Sequence, residues 1–458
     1  MTNTISKKEY YKRVLLLAIP IAFQNLLTAL LNIFDQMMVG WLPAGIADAG
    51  LSAVLLANQV VFIFQIFVFA IANTVNIFIA QYTENDNAHL IKNRAGFGFM
   101  IILIVSVIFT ILCATVPDVV IGLFNPGEEY RVMAQEFLRL VSFSFVPMGF
   151  TVGITFMLRA VRKLKGALIV NACAVALNFL LNYTFMFGLF GVQPIGLNGA
   201  AVGTIISRIV EFIAVTVVLI LSKTPIVGKI KEMFSFDKAF VKKFFSMFFP
   251  ILCNEIFWVL ATTVYLFVYD KLENSTVVLA SVNIAQSLDK IVSVIMIGVG
   301  NAVGVVMGNI VGLGNADEVQ KYARESVKFG ILTGLVVTVL TFVASFVAPA
   351  VFKNVTAETQ ETSRGLIWLY ALTAVIRTLN FMYVIGILRS GGDTTFCMIS
   401  ETIILWAFSV PLVIISGIAL SASLYVVFLM SMVSEVIKII VFELRVRKGK
   451  WIKFLEKK

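Results

Sequence analysis

Histidine is almost absent: His89 is the only one in 458 residues. That excludes a His/Cys metal site and a histidine proton relay within a membrane. Cysteine is scarce too. Cys113, Cys173, Cys253 and Cys397 are widely spaced, lie in or beside apolar segments, and show neither metal-ligand spacing nor a disulfide framework. No G-x-x-x-x-G-K-[ST] loop occurs, so the chain does not itself hydrolyse ATP by that route, and there is no H-E-x-x-H. Charge is sparse, with 14% of residues Asp, Glu, Lys or Arg, against about 25% in an average soluble protein.

What fills the chain is apolar. Hydrophobic residues make up 59% and mean hydropathy is +0.96. These values exclude a soluble globular enzyme, and equally a disordered chain, which needs low hydrophobicity. A helix crosses a bilayer with about 20 mostly apolar residues. Twelve such runs follow one another, near 14–41, 50–80, 97–117, 132–158, 167–190, 198–222, 246–270, 276–311, 329–352, 364–388, 395–417 and 421–444. The first follows Lys7, Lys8, Lys12 and Arg13 as a signal peptide would. It is too long for one and lacks a small-residue cleavage site, so it reads as a retained first helix. The expected class is an all-α integral membrane protein with twelve transmembrane helices.

A net charge of +10 would suggest nucleic acid in a soluble protein. Its placement says otherwise. With the N-terminus inside, 27 of the 36 Lys and Arg fall in inner segments. Four lie in outer loops (Arg131, Lys271, Lys353, Arg364) and five within helices (Arg139, Arg208, Lys290, Arg377, Lys438). This is a positive-inside bias. It predicts a multi-pass protein of the plasma (inner) membrane with both termini cytoplasmic and no nucleic-acid partner.

An internal repeat runs through the chain. Pro20 and Pro250 are 230 apart, as are Asn25 and Glu255, and Leu158-Arg159 and Leu388-Arg389. Asn73 and Asn301 are 228 apart, as are Asn87-Ala88 and Asn315-Ala316. The series predicts two pseudo-symmetric six-helix bundles. The N-terminal one covers 1–222, a basic cytoplasmic linker 223–245, and the C-terminal one, with a basic tail, 246–458. An even number of helices per half makes the halves parallel, as two bundles rocking about a cleft require. Pro20 and Pro250 lie within helical runs and predict kinks. Gly300, Gly304, Gly308 and Gly312 at steps of four predict a close helix contact.

Acids inside the membrane are costly, at about 2.5–3.5 kcal/mol on insertion scales. The runs hold Asp35, Glu136, Glu211, Glu255, Asp289, Glu401 and Glu435. Glu136 and Arg139, Arg208 and Glu211, and Glu435 and Lys438 are three apart, on one helix face where they can pair. Asp35 and Glu255 have no basic residue within one turn. Asp35 ends a stripe of Gln24, Thr28 and Asn32 at steps of 4, 4 and 3. Asn171, Asn178 and Asn182 share a face of the fifth helix, and Asn58, Gln65 and Asn76 repeat the pattern in the second. Lipid satisfies none of these groups, so they face protein or water. Interhelical hydrogen bonding is one reading; a wet cavity in the N-terminal bundle, with oxygen ligands for Na⁺ or a carboxylate that carries a proton, is the other. Glu255 lies about 18 Å into its run, near mid-membrane. It is positioned to attract a cationic substrate or bind a proton. Asp289 beside Lys290 need not pair with it, since neighbours point about 100° apart.

At this point the residues resemble a known family. Phe34-Asp35-Gln36-Met37-Met38-Val39-Gly40 looks like the first-helix signature of the MATE multidrug exporters. Gly196-Leu197-Asn198-Gly199-Ala200-Ala201-Val202-Gly203-Thr204, with Ser207 and Glu211 after it, is similar to their sixth-helix motif. Leu158-Arg159-Ala160 and Leu388-Arg389-Ser390-Gly391-Gly392-Asp393 match the fourth and tenth helix ends, and Gly300-Asn301-Ala302 with Gly308-Asn309 resembles the eighth. The resemblance, of the NorM/DinF-like kind, covers essentially the whole chain. It implies two bundles in a V that alternate between inward- and outward-facing states. It implies export of organic cations or amphipathic drugs in antiport with Na⁺ or H⁺, with no other cofactor, by a protein expected as a monomer. It carries a coupling-cation site, with Na⁺ as the metal, onto Asp35, Asn178, Asn182 and Thr204. Substrate or proton binding falls to Glu255 and Asp289, with Gln24 and Asn32 on the Asp35 stripe. The chain departs from the pattern in two places. Archaeal members carry a second Asp where Asn182 stands. NorM-like members carry a tenth-helix Asp where this chain reads Ile376-Arg377-Thr378-Leu379-Asn380. Arg377 is left to pair with Glu255 or to favour anionic groups, and the coupling ion stays open. The alternatives are a flippase for lipid-linked oligosaccharide or another polar lipid, a channel, and an intramembrane enzyme. No Ser/Lys dyad or His cluster supports the last, so the chain is not expected to be an enzyme.

Overall fold

The computed structural model describes residues 6–42, 46–83, 87–124, 128–351 and 356–453. Among them there is no strand. Twelve long helices carry the chain: α1 Lys7–Gly40, α2 Ile46–Thr83, α3 Ala88–Thr115, α4 Tyr130–Ala160, α5 Lys165–Phe187 and α6 Leu197–Leu221, then α7 Lys238–Asp270, α8 Ser275–Gly312, α9 Ala316–Val351, α10 Ala357–Leu388, α11 Thr394–Ala419 and α12 Leu424–Arg447. Eleven of them, α2 to α12, are long and apolar enough to cross a membrane. α1 carries the run at 14–41 and makes the expected twelve.

Local chemistry sets several boundaries. Asn315 Oδ1 accepts from the N–H groups of Asp317 and Glu318 and starts α9. Asp237 Oδ1 does the same for Phe240 at α7, and the Thr356 hydroxyl for Thr359 at α10. Each such cap contributes about 1 kcal/mol to its helix. Gly188 at φ +83° ends α5 in the left-handed region where a Cβ is strained. Along α9, Leu332, Leu335, Val339, Phe342 and Phe346 recur at steps of three and four and are all about half exposed. Such a continuous outward apolar face is a liability in water and the natural face toward lipid.

By contacts the described residues fall into two units: Gln24–Val241, and the chain through Phe23 together with Lys242 onward. This departs from the sequence boundaries at both edges. The start of α1 packs on α9 rather than with its own bundle. Tyr10, fully buried, stacks on Tyr322 at 4.9 Å and shares a 2.6 Å hydrogen bond with the Ser326 hydroxyl. Tyr11 donates to Glu325 at 2.7 Å, and Lys7 pairs with the same carboxylate at 2.9 Å. The stretch read as a linker also packs down, up to Val241. Glu232 pairs with Lys92, Met233 O lies where a Gly96 side chain would project, and the Arg94 guanidinium sits 3.8 Å over the Phe240 ring.

In the Gln24–Val241 unit the core gathers around Phe64, stacked on Phe145 at 4.5 Å. In the other unit one core gathers around Val268, Tyr269, Leu366 and Phe428. Two of the four α8 glycines, Gly300 and Gly304, meet α10 as expected. A Cβ on Gly304 would lie 2.8 Å from Ile385 O, and Gly300 faces Phe381. Their partner is the end of α10 from Phe381 on, where Met382–Leu388 is wound as π-helix. α11 carries two further π stretches, Leu405–Ser409 and Ile415–Ala419. Periodicity does not foresee such turns, which often mark functional sites. After α12 the tail folds back. Trp451 is fully buried against Gly391 and donates to Gln320. Arg445 and Lys453 both hold Asp393, at 2.8 and 2.6 Å.

Candidate functional site

Within the first unit, Asp35, Asn178, Asn182 and Thr204 form one connected polar chain. Asn182 Nδ2 donates to Asp35 Oδ1 at 2.8 Å and to Asn178 Oδ1 at 3.1 Å. Asn178 Nδ2 donates to the Thr204 hydroxyl at 3.3 Å and the Ser207 hydroxyl at 3.0 Å. The spacing explains the geometry: Asn178 and Asn182 lie one turn apart on α5, and Thr204 and Ser207 lie one turn apart on the facing side of α6. Glycine permits the approach. A Cβ on Gly203 would lie 2.2 Å from Asn182 Oδ1 and 2.8 Å from Asn182 N, and one on Gly199 would lie 2.5 Å from Phe185 O. Asn182 is fully buried, and its Oδ1 has no hydrogen-bond partner.

The rest of the stripe divides. Gln24 accepts from Arg159 at 3.3 Å. The side chains of Thr28 and Asn32 lie outside the described residues. On α2, Gln65 Nε2 lies 3.9 Å from Met148 Sδ and Asn58 is exposed, so among the described contacts neither joins the Asp35 chain. Asn171 donates to Glu211 at 3.0 Å, and Glu211 pairs with Arg208 at 2.7 Å as its i,i+3 spacing predicts. Glu136 and Arg139 do not pair in this way. Among the described contacts Arg139 donates to Ala114 O on α3 at 2.9 Å, and Glu136 accepts from Asn198 at 3.5 Å.

In the second unit the long-range partners differ from expectation. Arg377 does not take Glu255. It grips Asp289 with two parallel bonds, at 2.8 and 2.7 Å, over the Tyr370 ring. A bidentate pair of this kind is among the stronger ionic contacts. Glu255 is bound instead by Arg389, at 3.1 Å, from the end of α10. Arg389 also lies 3.9 Å from Glu401. Glu435 pairs with Lys438 as its spacing predicts, and accepts from Asn380 at 2.7 Å. Both acids singled out in this half thus meet guanidinium groups, 88 and 134 residues away in sequence. Two residues went unnoticed as site members. Ser207 carries the spacing signal, three residues after Thr204. Glu401 carries none beyond being an acid within an apolar run.

Comparison with known proteins follows the repeat. The MatE family model matches twice, over residues 20–184 and 250–415, which reproduces the 230-residue offset. The chain is 26% identical over 422 residues to the probable multidrug resistance protein NorM of Thermotoga maritima, covering 88% of this chain and 85% of that one. It is 21% identical to the probable multidrug resistance protein YoeA of Bacillus subtilis, covering 90% and 88%. A multidrug resistance MATE family transporter of the MOP superfamily in an outward-facing conformation superposes with a TM-score of 0.85 at 18% identity, covering 96% and 97%. A MOP superfamily transporter from Pyrococcus furiosus, described as having a binding pocket of reverse polarity, superposes at 0.83 and 17%, with the same coverage. Matched in tandem over both halves, and sharing the fold of these transporters from end to end, the chain belongs to the MatE family.

Proposed function

We propose that this chain is a secondary active exporter of organic cations or amphipathic drugs, driven by inward Na⁺ or H⁺ and working by alternating access. The observation that carries the reading is the buried Asp35–Asn182–Asn178–Thr204 chain in a multi-pass membrane protein. A carboxylate, two amide oxygens and a hydroxyl are the ligand types a hard cation takes. Asn182 at present turns its N–H to Asp35 and keeps its Oδ1 idle. Rotating that amide by half a turn exchanges donor for acceptor and presents oxygen to an arriving cation. The names of the relatives support drugs as cargo, and the positive-inside bias supports a plasma membrane location with both termini cytoplasmic.

The test is efflux of a fluorescent organic cation from proteoliposomes, under an imposed Na⁺ gradient and separately under a pH gradient. Transport under either, abolished by Asp35→Asn in protein that still inserts and elutes as a single species, is the expected result. Unchanged export by Asp35→Asn refutes the Asp35 site. Failure under both gradients refutes drug antiport and turns attention to a polar-lipid flippase.

A further inference from the structure

The linker after α6 has a pinned side and an open side. Its pinned side lies on the start of α3. Glu232 pairs with Lys92 at 3.0 Å, Ser235 accepts from Asn93 at 3.4 Å, and Phe236 meets Phe97 edge-on at 4.9 Å. Ile226 is fully buried. The open side is apolar. Ile230 is 78% and Phe234 47% exposed, four residues apart at the single helical turn Ile230–Met233. They follow an outward row on α6, where Ile213, Val217 and Leu221 recur at steps of four and are all exposed. Large apolar side chains held outward on a fixed backbone are a liability in water.

The anchoring sets the depth. After Arg94 the chain carries no Asp, Glu, Lys or Arg until Asp118, so α3 enters the hydrocarbon just past Arg94. The linker meets α3 over Lys92–Phe97, about 7 Å of helix. The headgroup layer on one side of a bilayer is about 5–7 Å thick. The linker is therefore held at headgroup level. Its charge suits that layer. Lys223, Lys229, Lys231 and Lys238 are exposed, and none lies within ion-pair distance of a carboxylate among the described residues. Glu232 is taken by Lys92, which leaves Asp237 as the one acid of the stretch to set against the four lysines.

We propose that residues 223–238 form an interfacial seat for anionic phospholipid. Ile230 and Phe234 enter the leaflet at the boundary of acyl chains and headgroups, and the lysines hold the headgroup phosphates around them. Lys229 and Lys231 flank Ile230, and the long lysine stem carries its charge past an apolar neighbour. Apolar insertion alone accepts any lipid. The lysines make the seat selective, each worth about fivefold in attraction to an anionic surface. The seat shares no residue with the Asp35 chain and is read without transport.

The test uses full-length Phe234→Trp protein in proteoliposomes of equal parts phosphatidylglycerol and phosphatidylcholine. Brominated acyl chains, which quench tryptophan, are placed on one lipid and then on the other, and wild-type fluorescence is subtracted. The expected result is quenching by both lipids, with phosphatidylglycerol favoured about fivefold or more. Adding Lys229→Gln, Lys231→Gln and Lys238→Gln together should bring the preference close to one, and high salt should do the same. Ile230→Trp gives the reading if Phe234→Trp does not fold. Quenching by neither lipid places the segment in water or against another protein and overturns the proposal. Equal quenching by both lipids with all lysines present overturns it too, as does a preference that survives the triple replacement.

Discussion

Replacing Gly203 with Ala tests whether the approach of α5 to α6 holds the polar chain together. The new methyl carbon would fall 2.2 Å from Asn182 Oδ1, 2.8 Å from Asn182 N and 2.9 Å from Leu181 C. Two of those atoms are backbone, so no side-chain rotation clears them. Ordinary contact requires the helices to part by about 1 Å, and overpacking of this kind costs about 1–3 kcal/mol. The same shift stretches the 3.3 and 3.0 Å bonds that Asn178 makes from α5 to Thr204 and Ser207 on α6 beyond hydrogen-bond range. Loss of two neutral hydrogen bonds is worth about 1–3 kcal/mol, a range that spans a ten- to hundredfold change in affinity for a cation held there. The assay pairs thermal unfolding in detergent with ion-driven efflux in proteoliposomes, expressed per inserted protein. Gly203→Ala should melt earlier and need about ten- to a hundredfold more coupling ion for half-maximal efflux. Wild-type melting and wild-type ion dependence together would refute the argument.

Other perturbations follow the same geometry. Asp289→Asn or Arg377→Met alone strands a buried charge and should destabilise by about 3–5 kcal/mol, whereas Asp289→Leu with Arg377→Met should recover much of the loss; a double variant that unfolds as early as the worse single one contradicts this. Trp451→Ala removes a fully buried indole and should lower stability by about 3–5 kcal/mol, read as an earlier melt of the purified protein. Gly391→Ala, whose methyl would fall 2.3 Å from the Trp451 ring, should melt early as well, and should behave better when combined with Trp451→Ala. The hydrogen bond from Lys92 holds the Glu232 carboxyl below its ordinary range. A lowered folded pKa makes a contribution that is present above the unfolded value, about 4.3, and is lost as pH falls through the folded one. The small advantage of wild type over Glu232→Gln in thermal melting should therefore exist at pH 7 and vanish in acid.

The helices were legible because each must bury about 20 apolar residues in protein or present them to lipid, and the repeat was legible because it preserves spacing. Asn178 and Asn182 were legible for the same reason, one turn apart on one face. So were Arg208–Glu211 and Glu435–Lys438. Pairing across helices was not. Arg377 chooses Asp289 over Glu255 through the packing of α8 on α10, which no local pattern encodes. Arg139 shows the limit even of local patterns: three residues from an acid, it takes a carbonyl on another helix. The π stretches of α10 and α11 leave no periodic trace. Nor does the division of α1, whose first turns belong with α9 because Tyr10 and Tyr11 find Tyr322, Glu325 and Ser326.

That division has a consequence for synthesis. The Tyr10 hydroxyl is bound to Ser326, 316 residues further on. At about 5–20 residues per second, roughly 15–60 seconds separate the emergence of the two. Every described partner of the Gln24–Val241 unit is on the ribosome's output well before then. The chain therefore makes its beginning early and seats it late, and a fusion placed ahead of Lys7 rides on a segment whose binding surface has yet to be translated.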